Sequence, residues 1–221
     1  MPKQEIKLLV FDWDGTLADS EQYIVNAMQS AIVQLNLDMR SRDEIRNIIG
    51  LGLMEAAGVL FPDLKQAEHE ILADSYRKHY SSSAKGKTTL FPDVVETLYI
   101  LQKQGFKMAI ATGKSRKGLD NSLRETGIED FFHMTRCADE TFSKPHPGML
   151  LDIMDQMFVE PENTLMVGDS EYDLLMAKNA NVAPVAVSYG TQTRERLLEH
   201  NPLACLDSLN ELPDWLTSNI D

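Results

Sequence analysis

A chain of 221 residues corresponds to about 1.5 typical domains, which leaves room for one large domain or a core carrying a sizeable insertion. Hydrophobic residues at 43% and charged residues at 25% are ordinary for a globular protein and exclude disordered, collagen-like and fibrous classes. Acidic residues (34) outnumber basic ones (21), a net charge of −13, so the chain as a whole repels nucleic acid and anionic membrane and any attraction for an anionic substrate has to be local.

The two cysteines, Cys137 and Cys205, match no zinc spacing. Pro2, Lys3, Gln4 and Glu5 lead into a short strand-like run with no signal-peptide pattern. No apolar stretch reaches the roughly 18–20 residues that cross a bilayer, because Glu55 interrupts the best window, Leu51 to Phe61. The expectation is a cytoplasmic protein with reduced thiols.

Ile6 to Phe11 is apolar and rich in β-formers, and it stops at Asp12-Trp13-Asp14-Gly15-Thr16, which predicts a buried strand ending in an acidic loop. Helical spacing follows through Tyr23, Ile24, Ala27, Met28, Ala31, Ile32 and Leu35, behind Asp19 and Ser20 as candidate caps. Ser41 with Glu44 reads as a capping box before Ile45 and Ile48; Gly50 and Gly52 open a turn; Leu53 to Leu60 and Gln66 to Tyr80 read as two more helices. Ser81 to Pro92 has linker composition.

Beyond the linker, helix and strand alternate. Helices are predicted over Asp93 to Gln104, Ser115 to Thr126, Pro147 to Phe158 and Tyr172 to Asn179, with a last one near the C-terminus. Strands are predicted over Phe106 to Ala111, Met134 to Ala138, Thr164 to Val167 and Pro184 to Ser188, with a weaker one around Leu203 to Leu206. This repetition predicts an α/β fold, a parallel sheet covered by helices on both faces, with an all-helical insertion after the first strand. The expected division is a core of residues 1–18 and 86–221 and a helical unit of residues 19–85.

Four polar clusters follow predicted strands or precede helices: Asp12 to Thr16, Thr112-Gly113-Lys114-Ser115, Ser143-Lys144-Pro145, and Gly168-Asp169-Ser170-Glu171-Tyr172-Asp173. In an open parallel sheet, ligands bind beyond the carboxyl ends of the strands, so clusters distant in sequence can converge. Taken singly, each is as easily a cap, a turn or a loop. Asp12, Asp14, Asp169 and Asp173 against Lys144 would repel a phosphate by about 4 kcal/mol per pair at 4 Å and an effective dielectric near 20. A divalent cation with a preference for oxygen ligands removes the conflict, and Mg²⁺ suits a few carboxylates plus substrate oxygen and water.

Jointly and in this order, Asp12-Trp13-Asp14-Gly15-Thr16-Leu17, Thr112, Lys144 and Gly168-Asp169 with Asp173 resemble the haloacid dehalogenase-like hydrolase superfamily, mostly phosphatases. The resemblance covers nearly the whole chain. It implies a Rossmann-like three-layer core, and the helical insertion is similar to the small cap of the phosphoglycolate phosphatase-like and sugar-phosphate members. It further implies Asp12 as nucleophile forming an aspartyl phosphate and Asp14 as general acid that later activates water. Mg²⁺ would be held by Asp12, the backbone carbonyl of Asp14, and Asp169. Thr112 and Gly113 would hold phosphoryl oxygens, Lys144 would neutralise developing charge, and Asp173 would steady Lys144 or the groups around the metal. Asp14 argues against the dehalogenating branch, whose members lack this second carboxylate.

Lys114 lies near substrate in similar phosphatases, and a solvated first helical turn is the equal alternative; Arg116 and Lys117 would flank the same pocket. Gly50-Leu51-Gly52 resembles the loop such caps lower onto the site. Arg77 and Lys78 read as solvent-facing, His146 as a loop residue, and Trp13, Met149, Met154, Met157 and Met166 as packing. The resulting expectation is a Mg²⁺-dependent phosphatase for a small phosphorylated metabolite, phosphoglycolate-like or a sugar phosphate, as monomer or homodimer. A sugar phosphomutase of the β-phosphoglucomutase kind is the nearest alternative. A phosphorylated signalling module is disfavoured by chain length and by acids placed after Lys144, and a capped binding protein by the presence of every residue type the chemistry needs.

Overall fold

The computed structural model describes residues 5–84 and 88–219. After β1 (Leu8–Phe11) the chain runs into four helices, α1 (Glu21–Gln34), α2 (Arg42–Arg46), α3 (Leu53–Leu60) and α4 (Gln66–Ala84). It then alternates through α5 (Val94–Lys103), β2 (Lys107–Thr112), α6 (Arg116–Thr126), β3 (Met134–Cys137), α7 (Gly148–Met157), β4 (Thr164–Gly168), α8 (Glu171–Asn179) and β5 (Ala183–Val187). The last elements are α9 (Arg194–Leu198), β6 (Cys205–Leu206) and α10 (Leu212–Asn219).

Among the described residues all six strands are parallel, in the order β3-β2-β1-β4-β5-β6. β1 is central and wholly buried, which is why its residues are apolar without a polar alternate. The two-residue pleat period still sorts them. Leu9 and Phe11 pack with Leu98 and Leu101 of α5, Leu119 of α6 and Leu212 of α10 on one face. Leu8 and Val10 pack with Met149, Leu150 and Ile153 of α7 and Met176 of α8 on the other. The predicted methionine packing holds: Met149, Met154 and Met166 are buried and Met157 lies against the same cluster.

The four helices after β1 bury a separate apolar cluster that includes Ile24, Val25, Met28, Ile45, Ile49, Leu60 and Leu72. The two chain passages to this block meet side by side, with Asp19 N–H donating to Thr89 O (2.9 Å) and Phe91 N–H to Leu17 O (3.0 Å). One boundary and one helix differ from expectation. α4 runs on to Ala84, into the serine stretch read as linker, because the Ser82 and Ser83 hydroxyls bond back to the His79 carbonyl (2.8 and 2.9 Å) and so share the helical hydrogen bonding. The rest of that linker includes residues 85–87, outside the described residues, as are residues 2–4. The five-residue α9, capped by Thr193, has too few residues for a periodic signal. Among the described residues, no helix is long and apolar enough to cross a membrane, and both cysteines are free thiols.

Candidate active site

Register places the first, second and fourth polar clusters side by side. Phe11 pairs with Ile110 on β2 and Val167 on β4, so Asp12 leaves the sheet beside the ends of both strands, where Thr112 and Asp169 follow. Asp12 N–H still donates to Val167 O at 2.9 Å. Gly15 then turns the loop with φ +92°, and any Cβ there would overlap the Asp169 carboxylate, so both the turn and the close approach require glycine.

At the centre lies Lys144, buried with its ammonium 2.5 Å from Asp12 Oδ1 and 2.7 Å from Asp173 Oδ1. Asp173 is held in turn by the Ser170 N–H (3.1 Å) and hydroxyl (2.6 Å), a capping box that opens α8. Asp169 accepts from Thr16 Oγ1 at 2.8 Å, from Thr191 N–H at 2.7 Å and from Thr191 Oγ1 at 2.6 Å. Carboxylate oxygens of Asp12, Asp169 and Asp173 lie within 4.8 Å of one another, all buried. Asp12 Oδ2 has no hydrogen-bond donor among the described residues although it is sealed from solvent.

These positions shift the ionisations. Burial pushes the Asp12 carboxyl well above the usual carboxylate range; Lys144 pulls it back, and Asp173 and Asp169 add to the rise. Burial, then Asp173, lifts Asp169 to about 6, against the lowering effect of its threonine donors. Burial alone would lower the Lys144 ammonium, but Asp12 and Asp173 outweigh it and hold it above the ordinary lysine range. An orphaned buried carboxylate oxygen inside an acidic triad with a single ammonium is a donor set made for a hard divalent cation.

The Asp14 side chain points away from that triad. Its Oδ1 accepts from Ser20 Oγ at 2.5 Å and from Lys114 Nζ at 2.9 Å. Ser20 stands at the N-cap position of α1, yet its hydroxyl serves Asp14 and caps nothing. Lys114 is not a solvated first-turn residue: its side chain is about nine-tenths buried, and its Nζ also donates to Tyr80 Oη at 3.2 Å and lies 4.9 Å from the centre of that ring. Burial would lower this ammonium, but Asp14, Tyr80 and Tyr76 raise it above the usual range. Four carboxylates face two ammonium groups, an imbalance of two negative charges.

Thr112 is buried, and its Oγ1 accepts from Lys114 N–H at 3.2 Å, leaving the hydroxyl proton to donate. Gly113 sits under the helical block: a Cβ there would lie 2.6 Å from the Gly50 carbonyl oxygen and closer still to that of Leu51. The Gly50-Leu51-Gly52 loop thus rests on the sheet's carboxyl edge, tied by Gly52 N–H to Ser143 Oγ at 2.7 Å. Tyr172 Oη and Arg196 also reach across, bonding the Asn47 carbonyl and side chain at 3.1 Å each. Between block and sheet lies a cavity of about 820 Å³ whose lining includes Asp12, Asp14, Gly113, Lys114, Tyr76 and Tyr80.

Asp12, Lys144, Asp169 and Asp173 therefore converge; Asp14, Gly113 and Lys114 line the adjoining cavity, and Thr112 lies buried next to Gly113. Arg116 does not flank it; that guanidinium binds Glu140, Asp120 and Thr135, fastening α6 to the β3 end. Lys117 lines the cavity as an exposed residue, Arg77 is exposed and paired with Asp74, and His146 is an exposed loop residue against Phe142. Trp13 is buried packing as expected, but its indole N–H finds no partner among the described residues. Thr16, Ser20, Tyr76, Tyr80 and Thr191 were not read from sequence as site residues. Thr191 follows the Ser188-Tyr189-Gly190 turn after β5, the same strand-then-polar pattern as the other clusters, whereas nothing local marks the two tyrosines.

The model of the haloacid dehalogenase-like hydrolase family matches residues 9–187. The chain belongs to that family, among its phosphatases. It is 34% identical over 211 residues to a protein of Dickeya dadantii named probable phosphatase IndB, covering 93% of this chain and 91% of that one. It is also 34% identical to the phosphoglycolate phosphatase of Vibrio parahaemolyticus over 96% of both chains. A solved haloacid dehalogenase-like hydrolase from Bacteroides fragilis superposes with a TM-score of 0.88 at 29% identity, covering 94% of this chain and all of that one.

Proposed function

We propose that the protein is a Mg²⁺-dependent phosphatase that hydrolyses a small phosphorylated metabolite through an aspartyl phosphate on Asp12. The observation that carries this reading is the Asp12 carboxylate itself: one oxygen is held by Lys144, and the other has no donor among the described residues while the residue lines the cavity. Residues 1–18 and 86–221 act as the catalytic core and residues 19–85 as a cap that excludes water from the first step.

Asp12, the Asp14 backbone carbonyl and Asp169 would hold the Mg²⁺, which when bound supplies positive charge that offsets the acidic cluster and draws the phosphoryl group in. An Asp12 carboxylate oxygen attacks phosphorus while the phosphorus–ester oxygen bond breaks, and Asp14 gives its proton to the leaving oxygen. Asp14 then takes a proton from water, whose oxygen attacks phosphorus and returns Asp12 as carboxylate. In the observed arrangement Asp14 is bound purely as an acceptor, by Ser20 and Lys114, which is the form required for this second step. Lys144 stays beside Asp12 to neutralise developing charge, steadied by Asp173, and Thr112 and Gly113 supply hydroxyl and N–H donors to phosphoryl oxygens.

The test is release of inorganic phosphate from a panel of phosphate esters, beginning with 2-phosphoglycolate and sugar phosphates. Catalytic turnover with Mg²⁺, loss with EDTA and loss in Asp12→Asn are expected. Conversion of a hexose 1-phosphate to its 6-isomer without net phosphate release would contradict hydrolysis.

A further inference from the structure

The cavity over Asp12 has two unlike ends. One is ionic, formed by Asp12, Asp14 and Lys114; the lining from the helical block carries Ile24, Met28, Ile49, Met54, Tyr76 and Tyr80, with Glu55 and Arg77 among its other residues. Tyr76 and Tyr80, one turn apart on α4, present stacked rings with centroids 5.7 Å apart at 28°. Tyr80 is committed through its hydroxyl to Lys114. Tyr76 makes no hydrogen bond among the described residues, and burial holds its phenol above the ordinary tyrosine range, so it stays a neutral donor.

The cations lining the cavity are Lys114, Arg77, Lys117 and Arg124, and none is both buried and uncommitted. Lys114 is occupied by Asp14 and Tyr80, Arg77 pairs with Asp74, and Lys117 and Arg124 are exposed. A carboxylate next to the phosphate could meet only solvent-screened cations at the exposed rim, whereas a ring is matched by the apolar wall. Size points the same way. At about 30 Å³ per water, 820 Å³ holds on the order of 27 waters, about three times the nine heavy atoms of 2-phosphoglycolate.

We infer that the site takes phosphomonoesters whose alcohol carries a flat aromatic or heteroaromatic ring, and that Tyr76 is a specificity-determining residue, its ring packing against that of the substrate. This rests on the phosphatase reading and narrows its substrate class. The reaction is unchanged: the bond from phosphorus to the ester oxygen breaks, and water supplies oxygen to phosphate and a proton to the ring-bearing alcohol. Tyr76 stacks on Tyr80, whose hydroxyl accepts from the Lys114 ammonium that also binds Asp14, so the tyrosine pair adjoins the ionic end of the cavity.

The test compares kcat/KM of the full chain with Mg²⁺ for four primary alkyl phosphates: benzyl phosphate, pyridoxal 5′-phosphate, 2-phosphoglycolate and glucose 6-phosphate. Their similar leaving oxygens isolate the effect of the ring. At least about a tenfold preference for the ring-bearing pair is expected, the scale on which a hydrophobic pocket discriminates. Tyr76→Ala should lower kcat/KM for benzyl phosphate by about tenfold, mainly through KM, and narrow the preference, while Tyr76→Phe should keep most of it. Equal or better turnover of 2-phosphoglycolate or glucose 6-phosphate by the unmodified protein would overturn the substrate class and leave the phosphatase reading standing; this comparison needs no variant to fold. Absence of turnover for all four esters and for the wider panel would overturn both.

Discussion

Asp169 offers a test of the acidic cluster that needs no substrate. Its carboxylate is fully buried, and burial together with Asp173 raises its ionisation from 3.8 to about 6. Because the folded value lies above the unfolded one, the stabilising effect of the proton is complete below about pH 4 and is lost as pH rises through about 6. Above that, the metal-free protein carries a penalty of about 3 kcal/mol, from a rise of about two pH units at 1.36 kcal/mol each. Asp169→Asn keeps the shape and removes the charge. Its amide can give a proton to Thr16 Oγ1, and its oxygen can keep both Thr191 donors, so little hydrogen bonding is lost. In EDTA at pH 8 the variant should be more stable than the parent by about 3 kcal/mol, some 6–12 °C in Tm for a chain of this size. The gap should close as the pH approaches 4. Saturating Mg²⁺ should then stabilise the parent but not the variant. Urea and thermal melts at the two pH values measure this; an Asp169→Asn protein equal to or weaker than the parent at pH 8 without metal would refute the reasoning.

Lys144→Met leaves Asp12 and Asp173 buried without their ammonium, so stability at pH 7.5 should fall by about 3–5 kcal/mol in a urea melt. Its kcat/KM should fall by about 10²–10³-fold, and a loss under tenfold would remove Lys144 from the reaction. Gly113→Ala drives a methyl group into the Gly50 and Leu51 carbonyls, so the loop should lift, costing about 1–3 kcal/mol in melts and raising KM more than it lowers kcat. Unchanged KM and stability would show that the loop does not rest on Gly113.

What could be read from sequence was local. β1, β2 and β4 announce themselves as β-forming runs that end in polar residues, and the parallel-sheet rule then brings Asp12, Thr112 and Asp169 together without further information. The same rule lets the clusters of Lys144 and Asp173 converge there but says nothing of what they bind; their roles come from the resemblance, and the structure adds that one ammonium binds both Asp12 and Asp173. Which way a side chain turns was not legible. Asp14 stands two residues from Asp12 yet faces Lys114, and Lys114 could equally have been a solvated helix start until α4 covered it with Tyr80. Tyr76 and Tyr80 sit on a helix whose sequence is mixed and polar, and their approach to the site depends on how the helical block docks, a tertiary property. Thr191 lies just beyond the end of β5, within reach of the strand-end rule, but it is neutral and carries no charge signal of its own.

The most direct test of Asp12 as the attacking group is a pre-steady-state burst with p-nitrophenyl phosphate and Mg²⁺ in Asp14→Asn. The nitrophenolate leaves without a proton, so the first step should proceed, while the second stalls for want of a base to activate water. One nitrophenolate per chain is expected, followed by little turnover, and no burst when Asp12→Asn is added. A burst of the same size in the double variant would contradict nucleophilic attack by Asp12.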